Sequence, residues 1–216
     1  MLIPLSWLKE FVDIKLPFLE LAKRLSEAGL TVEKWDEREG DIIFDPEVTP
    51  NRPDWLSVYG IAREIAAITK EKLQVKRLRE RKLSAQSAQS EKLEFKTPKS
   101  KLPIEIKPDY KLAPRLTAVI LSGVKITESP VWLQKRIKQI GLRPINNLVD
   151  ISNYIMWEQG SPLHIFDYDL IRGHEMTLSS AKGTEEFRSL DGITYKLPQG
   201  AITFKDLGRV IDLCGI

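Results

Sequence analysis

A chain of 216 residues, 42% hydrophobic and 29% charged, has room for one large hydrophobic core or two small ones. Its 33 lysines and arginines against 30 aspartates and glutamates leave a net charge of +3, which excludes strong overall attraction to nucleic acid, so any RNA contact must come from local clusters. The single Cys214 excludes an intramolecular disulfide and a cysteine zinc site, and no apolar run approaches the ~18 residues of a membrane span. The N-terminus carries neither a charged leader nor an export core, so the expected location is cytoplasmic, with no membrane partner.

Residues 1–75 read as a small helical module with a few short strands. After an extended start, Phe18, Leu21, Ala22 and Leu25 recur at helical spacing. Pro17 suits the first turn of that helix and Gly29 its end, which predicts a helix over residues 17–28. A strand at 41–45 leads into Thr49-Pro-Asn-Arg-Pro53, where two prolines and Asn51 fix a rigid corner. Pro53 is expected to open a second helix with Leu56, Ile61, Ile65 and Ile68 on its apolar face. Small residues at Gly60, Ala62, Ala66 and Ala67 allow close packing there.

Residues 76–103 form a basic and Ser/Gln-rich linker between domains. Across 70–82, seven cations stand against two carboxylates, a cluster that either docks phosphates or is a solvated helix end. The run Ser84-Ala-Gln-Ser-Ala-Gln-Ser90 has no apolar face to bury and reads as a mobile tether.

Residues 104–216 read as an α+β domain. Alternation over 103–107 predicts a strand, and Arg115-Leu-Thr-Ala-Val-Ile-Leu-Ser-Gly-Val124 predicts one suited to a buried sheet. A helix then starts with Ser129 as cap and Pro130 as first residue, turns Leu133, Ile137 and Ile140 inward, and ends at Gly141. A third helix spans 147–157 and is broken by Gly160 and Pro162, which leaves His164 beyond it. Short strands around 175–180, 186–188 and 201–204 alternate with turns such as Asp191-Gly192, and no internal repeat is evident.

Arg143-Pro-Ile-Asn-Asn-Leu-Val-Asp-Ile-Ser-Asn-Tyr-Ile-Met156, continued by Gly160-Ser-Pro-Leu-His-Ile-Phe-Asp167, sets polar side chains in an apolar frame. Such groups are costly to bury unless each finds a partner. Asn146, Asn147, Asp150 and Asn153 can hold loop backbone or read the edges of a ligand. His164, between Leu163 and Ile165, is expected to be half-buried, either lining a pocket or linking helices through one hydrogen bond. Phosphate-cradling glycine loops, a serine nucleophile elbow and a histidine pair at metal spacing are all missing. His174 follows Arg172-Gly173 at a turn and reads as solvated surface.

The same stretch closely resembles a signature of the bacterial phenylalanyl-tRNA synthetase β subunit. A second one, Val48-Thr-Pro-Asn-Arg-Pro-Asp54 with Leu56-Ser-Val and Gly60-Ile-Ala-Arg-Glu-Ile-Ala-Ala67, resembles that family's other long signature, in the same order. The resemblance implies a small helical N-terminal module followed by an incomplete mixed α/β tRNA-editing domain of the B3/B4 type. It also implies a portion of a cytoplasmic α2β2 ligase, with tRNA(Phe) and the α subunit as partners. ATP and Mg2+ belong to the holoenzyme, and no cofactor to this chain. His164 is then the catalytic candidate of an editing pocket for mischarged tyrosine, with Asn146, Asn147 and Asn153 as substrate-binding residues. A hydrophobic pocket rejects one added hydroxyl only modestly, and a second, hydrolytic site raises the discrimination.

Two departures accompany the resemblance. Most bacterial relatives insert an oligonucleotide-binding barrel of about a hundred residues after the strand near Trp35, where this chain has only the connector 36–40. At the other end, Val210-Ile-Asp-Leu-Cys-Gly-Ile216 resembles the strand before the family's Gly-Gly turn and editing glutamate, so the editing domain is expected to be C-terminally incomplete. The alternative function is a non-catalytic RNA- or protein-binding module derived from the same subunit. Since synthesis in the family lies in the α subunit, the isolated chain is expected to show no phenylalanine-dependent exchange of pyrophosphate into ATP; measurable exchange by the pure chain overturns this.

Overall fold

Prolines and glycines set most of the element boundaries. The computed structural model describes residues 1–74, 104–190 and 192–214; the Ser/Gln-rich tether, most of the basic run and Asp191 of the predicted turn lie outside them. In chain order the described elements are β1 (Ile3–Pro4), α1 (Leu5–Leu8), α2 (Phe18–Glu27), β2 (Thr31–Arg38), β3 (Asp41–Glu47), α3 (Val58–Thr69), β4 (Glu105–Lys107), α4 (Val131–Gln139), α5 (Asn147–Gln159), β5 (Glu175–Ser180), β6 (Glu186–Arg188), β7 (Thr194–Lys196), β8 (Ile202–Asp206) and β9 (Arg209–Leu213). Helices are interspersed with strands that pair largely antiparallel, an α+β arrangement. Two compact units divide the chain, Met1–Glu91 with Lys125–Ile165 and Lys92–Val124 with Phe166–Ile216.

In the first unit, β1, β3 and β2 form an antiparallel sheet in that order. Its core gathers Trp7, Leu21, Leu25, Phe44, Trp55, Ile61 and Ile65 with Leu133, Ile137 and Tyr154 of α4 and α5. The two helices that come after the linker in sequence therefore share the core of the N-terminal elements. Leu133, Ile137 and Ile140 are buried as their spacing predicts.

The corner at Pro53 differs from its sequence reading. Pro53–Trp55 is a single 3-10 turn, Leu56 is exposed, and α3 starts only at Val58. Its cap is Ser57, whose hydroxyl oxygen accepts the Gly60 N–H at 2.9 Å. A proline at the start of an apolar-periodic run fits either a 3-10 turn or an α-helix, and here the serine cap decides where α begins. Close packing at Gly60 holds as read: a Cβ there would lie 1.7 Å from Asp54 O, so this position admits no side chain. Arg52 braces the same corner, forking onto Asp54, reaching Glu64 at 2.8 Å and stacking 3.6 Å from the Trp55 ring centroid.

The second unit carries a four-stranded sheet in the order β4-β5-β8-β9, parallel between β4 and β5 and antiparallel elsewhere, and a β6-β7 hairpin. Ile104, Ile171 and Met176 form its small core, with Ile106, Ile120, Phe166 and Phe204 packed around them. The strand predicted over 115–124 is not formed: that stretch has no regular structure, and Val119 and Leu121 are 74% and 62% exposed. Apolar β-branched composition expresses a strand tendency, but a strand exists only where a neighbouring edge supplies hydrogen bonds, and none of the described strands pairs here. His174 is exposed as expected, with its ring stacked on Tyr168 at 4.7 Å.

Glu185 and Lys205 pair at 2.8 Å in this unit. Hydrogen bonding to Lys205, aided by the Lys182 and Thr184 amides, pulls the Glu185 carboxyl from its ordinary 4.5 down to about 2. The depressed folded value means that the carboxylate's contribution is complete above pH 4.5 and is lost as pH falls towards 2. Thermal unfolding followed by circular dichroism should show Glu185→Gln less stable than the parent at neutral pH, with the gap closing through that acidic window; a gap independent of pH contradicts the pairing.

Candidate functional site

Helix α5 carries most of the signature, and it is buried on a polar stripe. Asp150, Tyr154 and Glu158, four residues apart, lie on one helix face and are its buried residues, whereas Ile151 is 43% exposed. Each polar group on that stripe has partners. Asp150 accepts the Ser129 hydroxyl and, at 2.9 Å, the Ile145 N–H. Glu158 accepts the Tyr154 hydroxyl at 2.9 Å and the Trp7 indole N–H at 3.2 Å. Trp7 in turn stacks on Tyr154 with ring centroids 4.6 Å apart, under the Arg136 guanidinium at 4.9 Å. Arg136 is held by Glu10 at 2.7 Å and Ser6 at 2.9 Å.

The asparagines secure the other end of the helix. The Asn146 amide oxygen accepts the Leu148 and Val149 N–H groups at 3.1 and 3.0 Å, which makes it the N-cap of α5. Asn147 grips the chain leading to α4: its Oδ1 accepts the Thr127 N–H at 3.1 Å, its Nδ2 donates to Lys125 O at 2.9 Å, and its own N–H donates to Thr127 O at 2.9 Å. Both ends of the Asn147 amide are thus bonded to backbone, while Asn146 keeps its Nδ2 beyond the cap. Asn153 lies mid-helix and half-buried.

His164 was expected to be half-buried; it stands instead on an exposed stretch, 161–165, past the Gly160 end of α5. A helix of 13 residues is about 20 Å long, so Asn146 and Asn147 mark one end of α5 while His164 lies past the other. Ser129, expected to cap α4, does not; Pro130 occupies that position and the Ser129 hydroxyl goes to Asp150. A serine before a proline fits both roles, and the buried carboxylate attracts the stronger, charge-assisted bond.

An open groove of about 410 Å³ lies beside this junction, lined by Ser129, Gln134, Lys138, Arg143, Ile145, Asp150 and two neighbours, Glu128 and Pro144. Its two cations balance its two carboxylates, so the groove has no net preference for anions. Sequence spacing gave no signal for Trp7, Arg136 or Glu158 as a set, since 151 residues separate Trp7 from Glu158. Asp150, Tyr154 and Glu158 at intervals of four were the one available sign. Among the described residues no group of three or more His, Cys, Asp or Glu could hold a metal ion.

Residues 112–216 match the family described as B3/4 domain. The whole chain is 33% identical, over 216 residues and 30% of the relative's length, to the phenylalanine–tRNA ligase β subunit of Rhodopirellula baltica. It is 41% identical over 82% of its length to that of Geobacter sulfurreducens, covering 20% of the latter. The chain is similar to phenylalanine–tRNA ligase β subunits along its length. It spans less than a third of the length of either of these β subunits. An N-terminal fragment of the phenylalanyl-tRNA synthetase β-subunit from Pyrococcus horikoshii is similar at a TM-score of 0.45 and 17% identity, over 100% of this chain and 61% of that one.

Asp150 is the acceptor on which the α4–α5 junction closes. Asp150→Ala strands the buried Ser129 hydroxyl and the Ile145 N–H, and should cost about 2–4 kcal/mol in urea unfolding, with hydrogen exchange accelerated at Ile145. A loss below about half a kcal/mol shows that the junction is held elsewhere.

Proposed function

We propose that this chain works as part of the β subunit of a cytoplasmic phenylalanine–tRNA ligase, in assembly with the α subunit and in proofreading of tyrosyl-tRNA. The observation that carries the reading is sequence similarity along the entire chain to β subunits so named, with both signature stretches in order. Under this proposal ATP and Mg2+ serve the synthetic reaction in the α subunit, and this chain contributes polar groups near the aminoacyl end of tRNA(Phe). Supporting it, among the described residues no helix is long and apolar enough to cross a membrane. The exposed position of His164 also leaves its imidazole accessible to a large substrate.

The roles divide by what each side chain has left to offer. Neutral imidazole at His164 can orient a water or hold the terminal ribose. Its role in this reading is positioning, holding that water or ribose in reach of the ester to be cleaved. Asn146 offers its Nδ2 and Asn153 its amide for contacts along α5, away from His164, and Asn147 holds the 125–127 backbone. The engagement of Asn147 and Asp150 with protein partners favours a second reading, a non-catalytic binding module in which the signature is kept for packing.

The two readings separate in a ligase whose β subunit carries this sequence in place of the matching stretch of the Geobacter sulfurreducens subunit, assembled with its α subunit. Proofreading predicts that His164→Ala leaves phenylalanylation unchanged and slows tyrosyl-tRNA deacylation at least about tenfold. Equal deacylation by parent and variant selects the module.

A further inference from the structure

We infer that Gly160 and Ser57 form a seat that sets the direction of the His164 loop, which makes Gly160 a positioning residue for the proofreading reaction. The reactive role of His164 rests on the proposed proofreading function; the seat itself does not.

Four observations build it. Helix α5 ends at Gly160, which adopts the left-handed conformation at φ 77° and donates its N–H to Met156 O at 2.8 Å. A Cβ on Gly160 would lie 3.2 Å from Ser57 Cβ and 3.3 Å from Leu56 O, tighter than ordinary van der Waals contact. Ser57 cannot retreat freely, because it is buried and its hydroxyl caps α3 through the Gly60 N–H. Gly60 is itself pressed against Asp54 O, with 1.7 Å available to any Cβ. The rigid corner of the first signature thus backs directly onto the point where the second signature leaves its helix.

His164 lies four residues beyond Gly160. Residues 161–165 form neither helix nor strand and are all exposed. Four extended residues reach at most about 14 Å, so a tilt of about 10° at Gly160 carries His164 through about 2 Å. Displacements of about 1 Å at a reacting group can cost a hundredfold in rate. A side chain forced into the tight base of the loop therefore acts on the chemistry at its far end.

The test separates backbone conformation from contact. Asparagine tolerates the left-handed conformation but adds a Cβ, so Gly160→Asn keeps the helix stop and crowds the seat. Ser57→Gly removes both the Cβ and the hydroxyl facing Gly160, and as a helix cap glycine costs only a few tenths of a kcal/mol. The full chain with isotope-labelled histidine rings reports directly, since it contains two histidines, His164 and His174. Gly160→Asn is expected to shift the His164 ring signals and leave those of His174 in place, and Ser57→Gly with Gly160→Asn to bring them most of the way back. Ser57→Gly alone, which loosens the seat without crowding it, should broaden or shift the same signals if Gly160→Asn proves unfoldable. His164 signals unmoved in both single variants overturn the seat.

In the assembled ligase, Gly160→Asn should lower kcat for tyrosyl-tRNA deacylation about tenfold with KM little changed and phenylalanylation unaffected, and Ser57→Gly should restore it. Ring signals that move and return while deacylation stays constant keep the seat and refute the reactive role of His164. A loss of deacylation without movement of the ring overturns the positioning inference.

Discussion

Burial of the polar stripe Asp150, Tyr154 and Glu158 is the constraint around which the first unit is arranged. An apolar helix face can accept many neighbours, but a buried carboxylate accepts only those that bring donors, and leaving one unsatisfied costs several kcal/mol. Asp150 therefore requires a hydroxyl and an amide, which come from Ser129 and Ile145. Glu158 requires the Trp7 indole and the Tyr154 phenol, which draws α5 onto the N-terminal helix. These demands specify register as well as proximity. A shift of α5 by one turn would set Tyr154 against the Ser129 hydroxyl and leave a carboxylate without its donors.

The cation above Trp7 ties α4 into the same arrangement. Arg136 meets the indole face and is forked between Glu10 and Ser6, while Ser6 and Gln139 both reach Asp41 on β3. A sheet, the N-terminal helix and both later helices are thereby linked through polar contacts around one aromatic ring. Partly exposed ion pairs of this kind add little singly. Their geometric demand, added to the buried hydrogen bonds, narrows the ways in which these elements can pack.

The second unit is held differently. Its small apolar core is supplemented by Asp206, fully buried, which accepts the Arg172 N–H at 3.0 Å and is paired with Arg209. Hydrogen bonding to Arg209 holds the Asp206 carboxyl below the usual carboxylate range. With the Arg172 N–H, that ion pair ties β8 and β9 to the turn before β5. The exposed run around Val119 and Leu121 lies within the B3/4 match.

Sequence alone was sufficient wherever a residue acts through its own backbone or its near neighbours. The apolar spacing of Leu21 and Leu25, or of Leu133 and Ile137, gave helices in their observed places, and the glycines at 29, 141 and 160 marked their ends. The two signatures were legible as motifs, and the β subunits that this chain is similar to agree with the resemblance they carried. Whether a group is buried, and by whom it is partnered, depends on residues far away in the chain. Periodicity made 115–124 a strand because composition records the tendency and not the missing edge. The same limit hid the exposure of His164, the engagement of Asn147 with Thr127 and Lys125, and the meeting of Trp7 with Glu158. Local conformational preference is written residue by residue, whereas hydrogen-bond satisfaction in a buried interior is a property of the packed whole, and only the tertiary structure decides it.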